Sequence, residues 1–177
     1  MTLGCEPVYY PCQNDPQFVS GPGTYLTQHT VGGNLTAENA LGVVIHHTTV
    51  FGNVTLTGGG GGAACTTFVP ALGAPAYGDF EDVTISGSLT ITGWQSCWLG
   101  VFRTRVAHNL TFESNVTVAL GFTGLPDGNE MQNNTVMGNL SCSANSPSPQ
   151  VGDSGGGPST VIGNVSGQCN NPLLVHP

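Results

Sequence analysis

Apolar and polar positions alternate in short runs along this chain, and the runs share one unit, Thr-Val-x-Gly-Asn-Leu/Val-Thr/Ser. It occurs as Thr30-Val-Gly-Gly-Asn-Leu-Thr36, Thr49-Val-Phe-Gly-Asn-Val-Thr55 and Thr84-Ile-Ser-Gly-Ser-Leu-Thr90. It returns as Arg105-Val-Ala-His-Asn-Leu-Thr111, Thr135-Val-Met-Gly-Asn-Leu-Ser141 and Thr160-Val-Ile-Gly-Asn-Val-Ser166. Successive side chains on a strand point to opposite faces, so the Val/Ile and the Leu/Val point inward and the flanking Thr/Ser outward. Gly-Asn between them reads as a corner that needs positive φ. Units starting at 30, 49, 84, 105, 135 and 160 are 19, 35, 21, 30 and 25 residues apart. Fixed strands with loops of variable length describe a solenoid. Insertions are expected at 58–79 and 119–132, with a Pro/Ser/Gly loop over 143–159.

Stacking the units predicts columns. Val31, Val50, Ile85, Val106, Val136 and Val161 form one inner stack, and Leu35, Val54, Leu89, Leu110, Leu140 and Val165 a second. Asn34, Asn53, Asn109, Asn139 and Asn164, interrupted by Ser88, form a corner ladder able to hydrogen-bond between rungs. Six rungs at ~4.8 Å make a rod of roughly 29 Å.

These units resemble the small right-handed β-helix repeat proteins exported by actinobacteria, with their TVGGNL and GNVT repeats. The end, Asn139-Leu-Ser-Cys142 and Thr160-Val-Ile-Gly-Asn-Val-Ser-Gly-Gln-Cys169, resembles that family's closing rungs. The resemblance covers about residues 30–169. It implies the fold, export and a terminal disulfide, and no activity. The expected fold class is therefore all-β, a single right-handed parallel β-helix of about six irregular rungs over 30–169. Residues 1–29 are expected to cap its N-terminal end and 170–177 to form a tail, with Leu173-Leu174-Val175 covering the other end.

Composition narrows the partners. The 177 residues are 38% hydrophobic and only 7% charged, against a usual quarter. Net charge is −8, Arg103 and Arg105 are the only basic residues besides histidine, and lysine is absent. Such a surface cannot neutralise a row of phosphates or an anionic membrane. Schiff-base chemistry and a P-loop both need lysine and are excluded. No apolar run approaches ~18 residues, so no membrane-spanning segment is expected. An export signal is expected to have been removed ahead of Met1. Thr2-Leu3-Gly4-Cys5 faintly resembles a lipoprotein cleavage box, but the preceding apolar segment is missing.

Six cysteines without a CxxC pair favour three disulfides in an oxidising compartment over a zinc knuckle. Proximity in the stack predicts Cys5–Cys12, Cys65–Cys97 and Cys142–Cys169. Seven N-x-S/T sequons are present, at Asn34, Asn53, Asn109, Asn115, Asn133, Asn139 and Asn164. Five coincide with the corner ladder, which accounts for them without sugar. Val151-Gly-Asp-Ser154-Gly-Gly-Gly-Pro158 resembles the GDSGGP nucleophile motif of trypsin-like proteases, and Val106-Ala-His108-Asn that family's histidine segment. An extra glycine breaks the motif, and the short span between His108 and Ser154 leaves no room for two barrels.

Among the five histidines (His29, His46, His47, His108 and His176), neighbours His46 and His47 point to opposite faces and do not share a metal. No metal or cofactor is expected. The outward hydroxyls Thr36, Thr55, Thr90, Thr111, Ser141 and Ser166 should line one face, beside a second column of Glu38, Thr57, Thr92, Glu113, Ser143 and Gln168. The candidate binding residues are thus Thr36, Thr55, Thr57, Thr90, Thr92 and Thr111. Only two rungs carry a full Thr-x-Thr pair of the kind that an ice-binding face uses, and threonine is also a good outward strand residue.

Register places His47, Asp82, Arg103, Asn133 and Pro158 in one further column, two residues before each unit. His47, Asp82 and Arg103 together have the groups for proton transfer; equally, Asp82 simply neutralises Arg103. Glu38 and Glu113 lie ~14 Å apart, beyond the ~6.5–9.5 Å of an inverting glycosidase pair. Asp79, Glu81 and Asp82 cluster locally, with no second acid tied to them by register. Tyr77, Trp94, Trp98 and Phe102 suit a sugar platform or the core beneath the long insertion. The reading that leads is a secreted, non-catalytic module that is structural or binds a surface or polysaccharide, with self-association through its ends. The alternatives are a small polysaccharide lyase or glycosidase, and an ice-binding protein.

Overall fold

The computed structural model describes residues 2–3, 29–69, 74–118, 128–152 and 156–176. Among them there is no helix, and the strands fall into three parallel sheets plus one small antiparallel hairpin. The chain visits the sheets in rotation, giving a solenoid-like parallel β fold. The first sheet holds Thr2–Leu3, Val43–His46, Tyr77–Glu81, Trp98–Phe102 and Asn129–Gln132. The second holds His29–Val31, Thr48–Val50, Thr84–Ile85, Arg105–Val106, Thr135–Val136, Ser159–Val161 and Val175–His176. The third holds Leu35–Glu38, Val54–Thr57, Leu89–Thr92, Leu110–Glu113, Leu140–Ser143 and Val165–Gly167.

Register follows the repeat. Val31, Val50, Ile85, Val106, Val136 and Val161 pair in one line. Leu35, Val54, Leu89, Leu110, Leu140 and Val165 pair in another. Both lines point into the core, which the first sheet closes with Ile45, Phe80, Val101 and Met131. Trp94 is part of that core and not of a sugar platform; Gly78 makes room for its indole. The third-sheet strands alternate buried and open positions, as half-buried strands should.

The corner between the second and third sheets corrects one expectation. Gly-Asn does not adopt positive φ there. The glycine is required by crowding instead. The Oδ1 atoms of Asn34, Asn53, Asn109 and Asn139 each accept a hydrogen bond from the backbone N–H of the next rung: from Asn53 at 2.8 Å, Ser88 at 2.8 Å, Asn139 at 2.9 Å and Asn164 at 2.9 Å. The preceding residue of the upper rung then lies on that amide. A Cβ at Gly52 would come within 2.6 Å of the Asn34 backbone N, one at Gly138 within 2.7 Å of Asn109 Oδ1, and one at Gly163 within 2.8 Å of Asn139 Oδ1. His108 is the only non-glycine at this position. It stacks on the rung whose corner residue is the shorter Ser88, to which Asn109 N–H donates at 3.3 Å.

Positive φ belongs to the other two corners. Between the first and second sheets it falls on His47, Asp82, Arg103 and Asn133, and after the third sheet on Asn39, Gly58, Gly93, Ser114 and Ala144. Each has its own inner ladder. Asn134 Oδ1 accepts from Thr104 N–H at 2.9 Å and its Nδ2 donates to the Val101 carbonyl at 2.8 Å. Asn115 Oδ1 accepts from Trp94 N–H, Asn145 Oδ1 from Asn115 N–H, and Gln168 Oε1 from Asn145 N–H. Gln168 therefore leaves the outer column assigned to it, because Gly167 turns the chain at φ 67°. Asn115 is buried with its Nδ2 donating to the Ile91 carbonyl, so this sequon is closed to glycans in the fold, whereas the sequon asparagine Asn133 is exposed.

The insertion after the second unit begins with Gly58–Gly62, all at positive φ. A hairpin of Phe68–Val69 and Ala74–Pro75 follows. Cys65–Cys97 ties it to the next rung, with Cα atoms 4.4 Å apart. Cys142–Cys169 joins the last two third-sheet rungs, at 5.3 Å. Both pairings match the stack; Cys5 and Cys12 lie outside the described residues. At the C-terminal end Leu174 and Val175 are buried, Leu173 is exposed, and Val175–His176 adds a strand to the second sheet.

Gly52→Ala forces a Cβ against the backbone beneath it and should cost about 1–3 kcal/mol, read from urea midpoints. Gly33→Ala, with nothing described within 4 Å of the added carbon, should be neutral. Equal effects would show that the corner glycines serve backbone freedom and not stacking.

Candidate functional site

Charge is scarce in this chain, and much of it collects at one edge of the first sheet. His47, Asp82, Arg103 and Asn133 occupy successive turns of the positive-φ corner, with φ of 43°, 52°, 45° and 50°. Each backbone N–H donates to the carbonyl just before the next member: His47 to Glu81, Asp82 to Phe102 and Arg103 to Gln132. The predicted column therefore exists. Arg103 forks onto Asp82, Nε to Oδ1 at 3.0 Å and Nη2 to Oδ2 at 3.1 Å. That pair is partly exposed, which limits its contribution to about 1 kcal/mol.

One residue earlier the side chains point to the outer face of the first sheet. Register aligns Val44, Asp79, Gly100 and Glu130, and beside them His46, Glu81, Phe102 and Gln132. This corrects the expectation that no second acid is tied to Asp79: Glu130 shares its column two rungs away. The reading from sequence missed it because the strands of this sheet share no motif from which to count.

His46, Asp79 and Glu81 converge. Asp79 Oδ2 lies 2.9 Å from His46 Nε2, and Glu81 Oε2 lies 3.5 Å from His46 Nδ1 and 3.6 Å from Arg103 Nη2. Each of the three offers one ligand atom within 4.8 Å of the others, the only such set among the described residues. All three are buried despite facing outward, as are Glu130 and Gln132. Gly152 and Gly156 lie so close over Glu130 and Gln132 that an added Cβ would overlap their side chains. Across the same face Trp98 stacks on Phe102 with ring centroids 5.3 Å apart, and Tyr77 meets Trp98 edge-on at 6.2 Å. Gly100 permits this, since a Cβ there would lie 2.7 Å from Trp98 Cζ2.

The hydroxyl face is separate and open. Thr36, Thr55, Thr90, Thr111, Ser141 and Ser166 stand in one register line of the third sheet. Glu38, Thr57, Thr92, Glu113 and Ser143 form the adjacent line. Every one of these positions is exposed or half-buried. His29, His108 and His176 are exposed. Asp153 and Ser154 of the serine motif lie outside the described residues.

Removing His46 leaves two buried carboxylates without the imidazole that lies between them. His46→Ala should therefore cost about 3–5 kcal/mol, against about 1 kcal/mol for Arg103→Gln at the half-open corner. Denaturant midpoints of the two variants compare them directly; a larger loss at Arg103 would place the important charge pair at the corner.

Comparison with protein-family models, with curated proteins and with solved structures finds no match to this chain.

Proposed function

We propose that this chain is an exported, non-catalytic module, a single right-handed parallel β-helix that binds polysaccharide through the outer face of its third sheet. The observation that carries the reading is the register of that face. Six rungs present a continuous line of Thr and Ser hydroxyls at about 4.8 Å intervals, with a second line beside it. Hydroxyls both donate and accept, so such lines meet the repeated hydroxyls of an extended glycan without long side chains to order. Glu38 and Glu113 interrupt the second line, which favours a hydrated polymer over an ice plane.

The right hand follows from the strong preference of parallel crossover connections. Export is supported by two disulfides in a chain this size. The non-catalytic reading is supported by burial. Asp79, Glu81 and Glu130 are the acids that register brings together, and a sugar bond cannot reach them where they lie.

A glycan array, followed by titration of any hit, tests the proposal. Thr55→Val, Thr90→Val and Thr111→Val combined keep the β-branched shape and remove three central hydroxyls. Binding should weaken at least about tenfold, the scale of one or two lost hydrogen bonds, with unchanged thermal stability. Pectin, alginate, chitin and glucans should show no turnover. Unaltered binding by the triple variant, or cleavage of any of these polymers, would refute the reading.

A further inference from the structure

We infer that His46, Asp79 and Glu81 form a binding site for one divalent cation of the zinc type. The strands Val43–His46 and Tyr77–Glu81 are adjacent and parallel, and they place an imidazole beside two carboxylates on one buried face. Within this cluster Glu81 Oε2 is the informative atom. The Glu81 side chain is only 4% exposed, yet Oε2 accepts no hydrogen bond. Its neighbours, His46 Nδ1 at 3.5 Å and Arg103 Nη2 at 3.6 Å, are too distant for one. A gap of 3.5 Å is instead the separation of two ligands on one tetrahedral ion, about 3.4 Å for bonds of about 2.0–2.1 Å.

Asp79 lies in the same cluster and holds the ring through Nε2, so it orients the imidazole while His46 Nδ1 and Glu81 Oε2 are the chain's ligands to the ion. A carboxylate on the far nitrogen is the usual device that orients a ligating imidazole. Charge agrees. Asp82 takes the fork of Arg103, so two carboxylates remain to match a dication beside a neutral imidazole. Calcium and magnesium prefer sets of oxygen ligands that this cluster does not provide, whereas mixed nitrogen and carboxylate donors suit zinc.

The test uses the full, disulfide-intact chain, stripped with a chelator and titrated with Zn²⁺, then with Co²⁺ as a spectroscopic probe. The expected result is one ion per chain, a rise in melting temperature, and the intense visible bands of a low-coordinate Co²⁺ centre. Glu81→Gln should weaken binding at least about 30-fold, and Asp79→Asn about 10–100-fold. Arg103→Gln should tighten it about fivefold, because a cation next to Glu81 is removed. This last variant lies at the partly exposed corner and keeps the test decisive if the buried substitutions unfold the chain. The inference falls if the wild type gives neither a thermal shift nor Co²⁺ bands. It falls equally if Glu81→Gln binds as well as wild type, or if Arg103→Gln weakens binding. Glycan binding enters none of these readouts.

Discussion

The stack depends on one contact, repeated at every turn but the one above Ser88. A corner Asn side chain reaches up and accepts a hydrogen bond from the backbone of the next rung. Strand pairing alone leaves parallel strands free to slip in register, and a slip by one residue would turn every apolar side chain outward. The amide removes that freedom, since its oxygen meets one N–H and no other. The cost is a Cβ, for the residue before that N–H must be glycine wherever the amide below is full length. Gly-Asn is thus one device spread over two rungs: the glycine of each serves the asparagine beneath it.

The second and third sheets were legible because they carry this unit. Their inner columns, their hydroxyl lines and the two described disulfides all follow from counting residues away from Gly-Asn. The first sheet was not legible. Val43–His46, Tyr77–Glu81, Trp98–Phe102 and Asn129–Gln132 follow insertions of different length and have no residue pattern in common. Hence Glu130 went unpaired with Asp79, and His46 was weighed only against His47. The corner column His47, Asp82, Arg103 was found because it lies a fixed two residues before the unit; the buried cluster begins one residue further back, where counting from the unit meets side chains of the opposite face. The placement of positive φ failed for a related reason. Glycine signals either left-handed backbone or close approach, and sequence does not separate the two.

The two faces also differ in kind. The hydroxyl face is repetitive, mostly uncharged and open, a surface shaped by the repeat itself. The cluster on the first sheet is singular, charged and enclosed, assembled where the repeat gives no instruction. A solenoid permits this division, because a rung needs only its corner contacts and inner apolar positions to stack. The remaining outward positions are released from structural duty, and scarce ionisable residues can be gathered on one wall without disturbing the others.

The exception at His108 bears on how a chain of this kind changes length. Most rungs end a corner in Asn and begin the next with Gly, so any such rung fits over any other. The rung with His108 fits only above a short side chain, and Ser88 supplies it. These two residues, 20 positions apart in sequence, behave as one heritable unit. A duplication that copied the His108 rung alone would set an imidazole-bearing Cβ on an asparagine and fail to stack, whereas copying both rungs together, or either of the last two units, would extend the rod. Growth of the array is therefore open among the Gly-Asn units on either side and constrained at its middle.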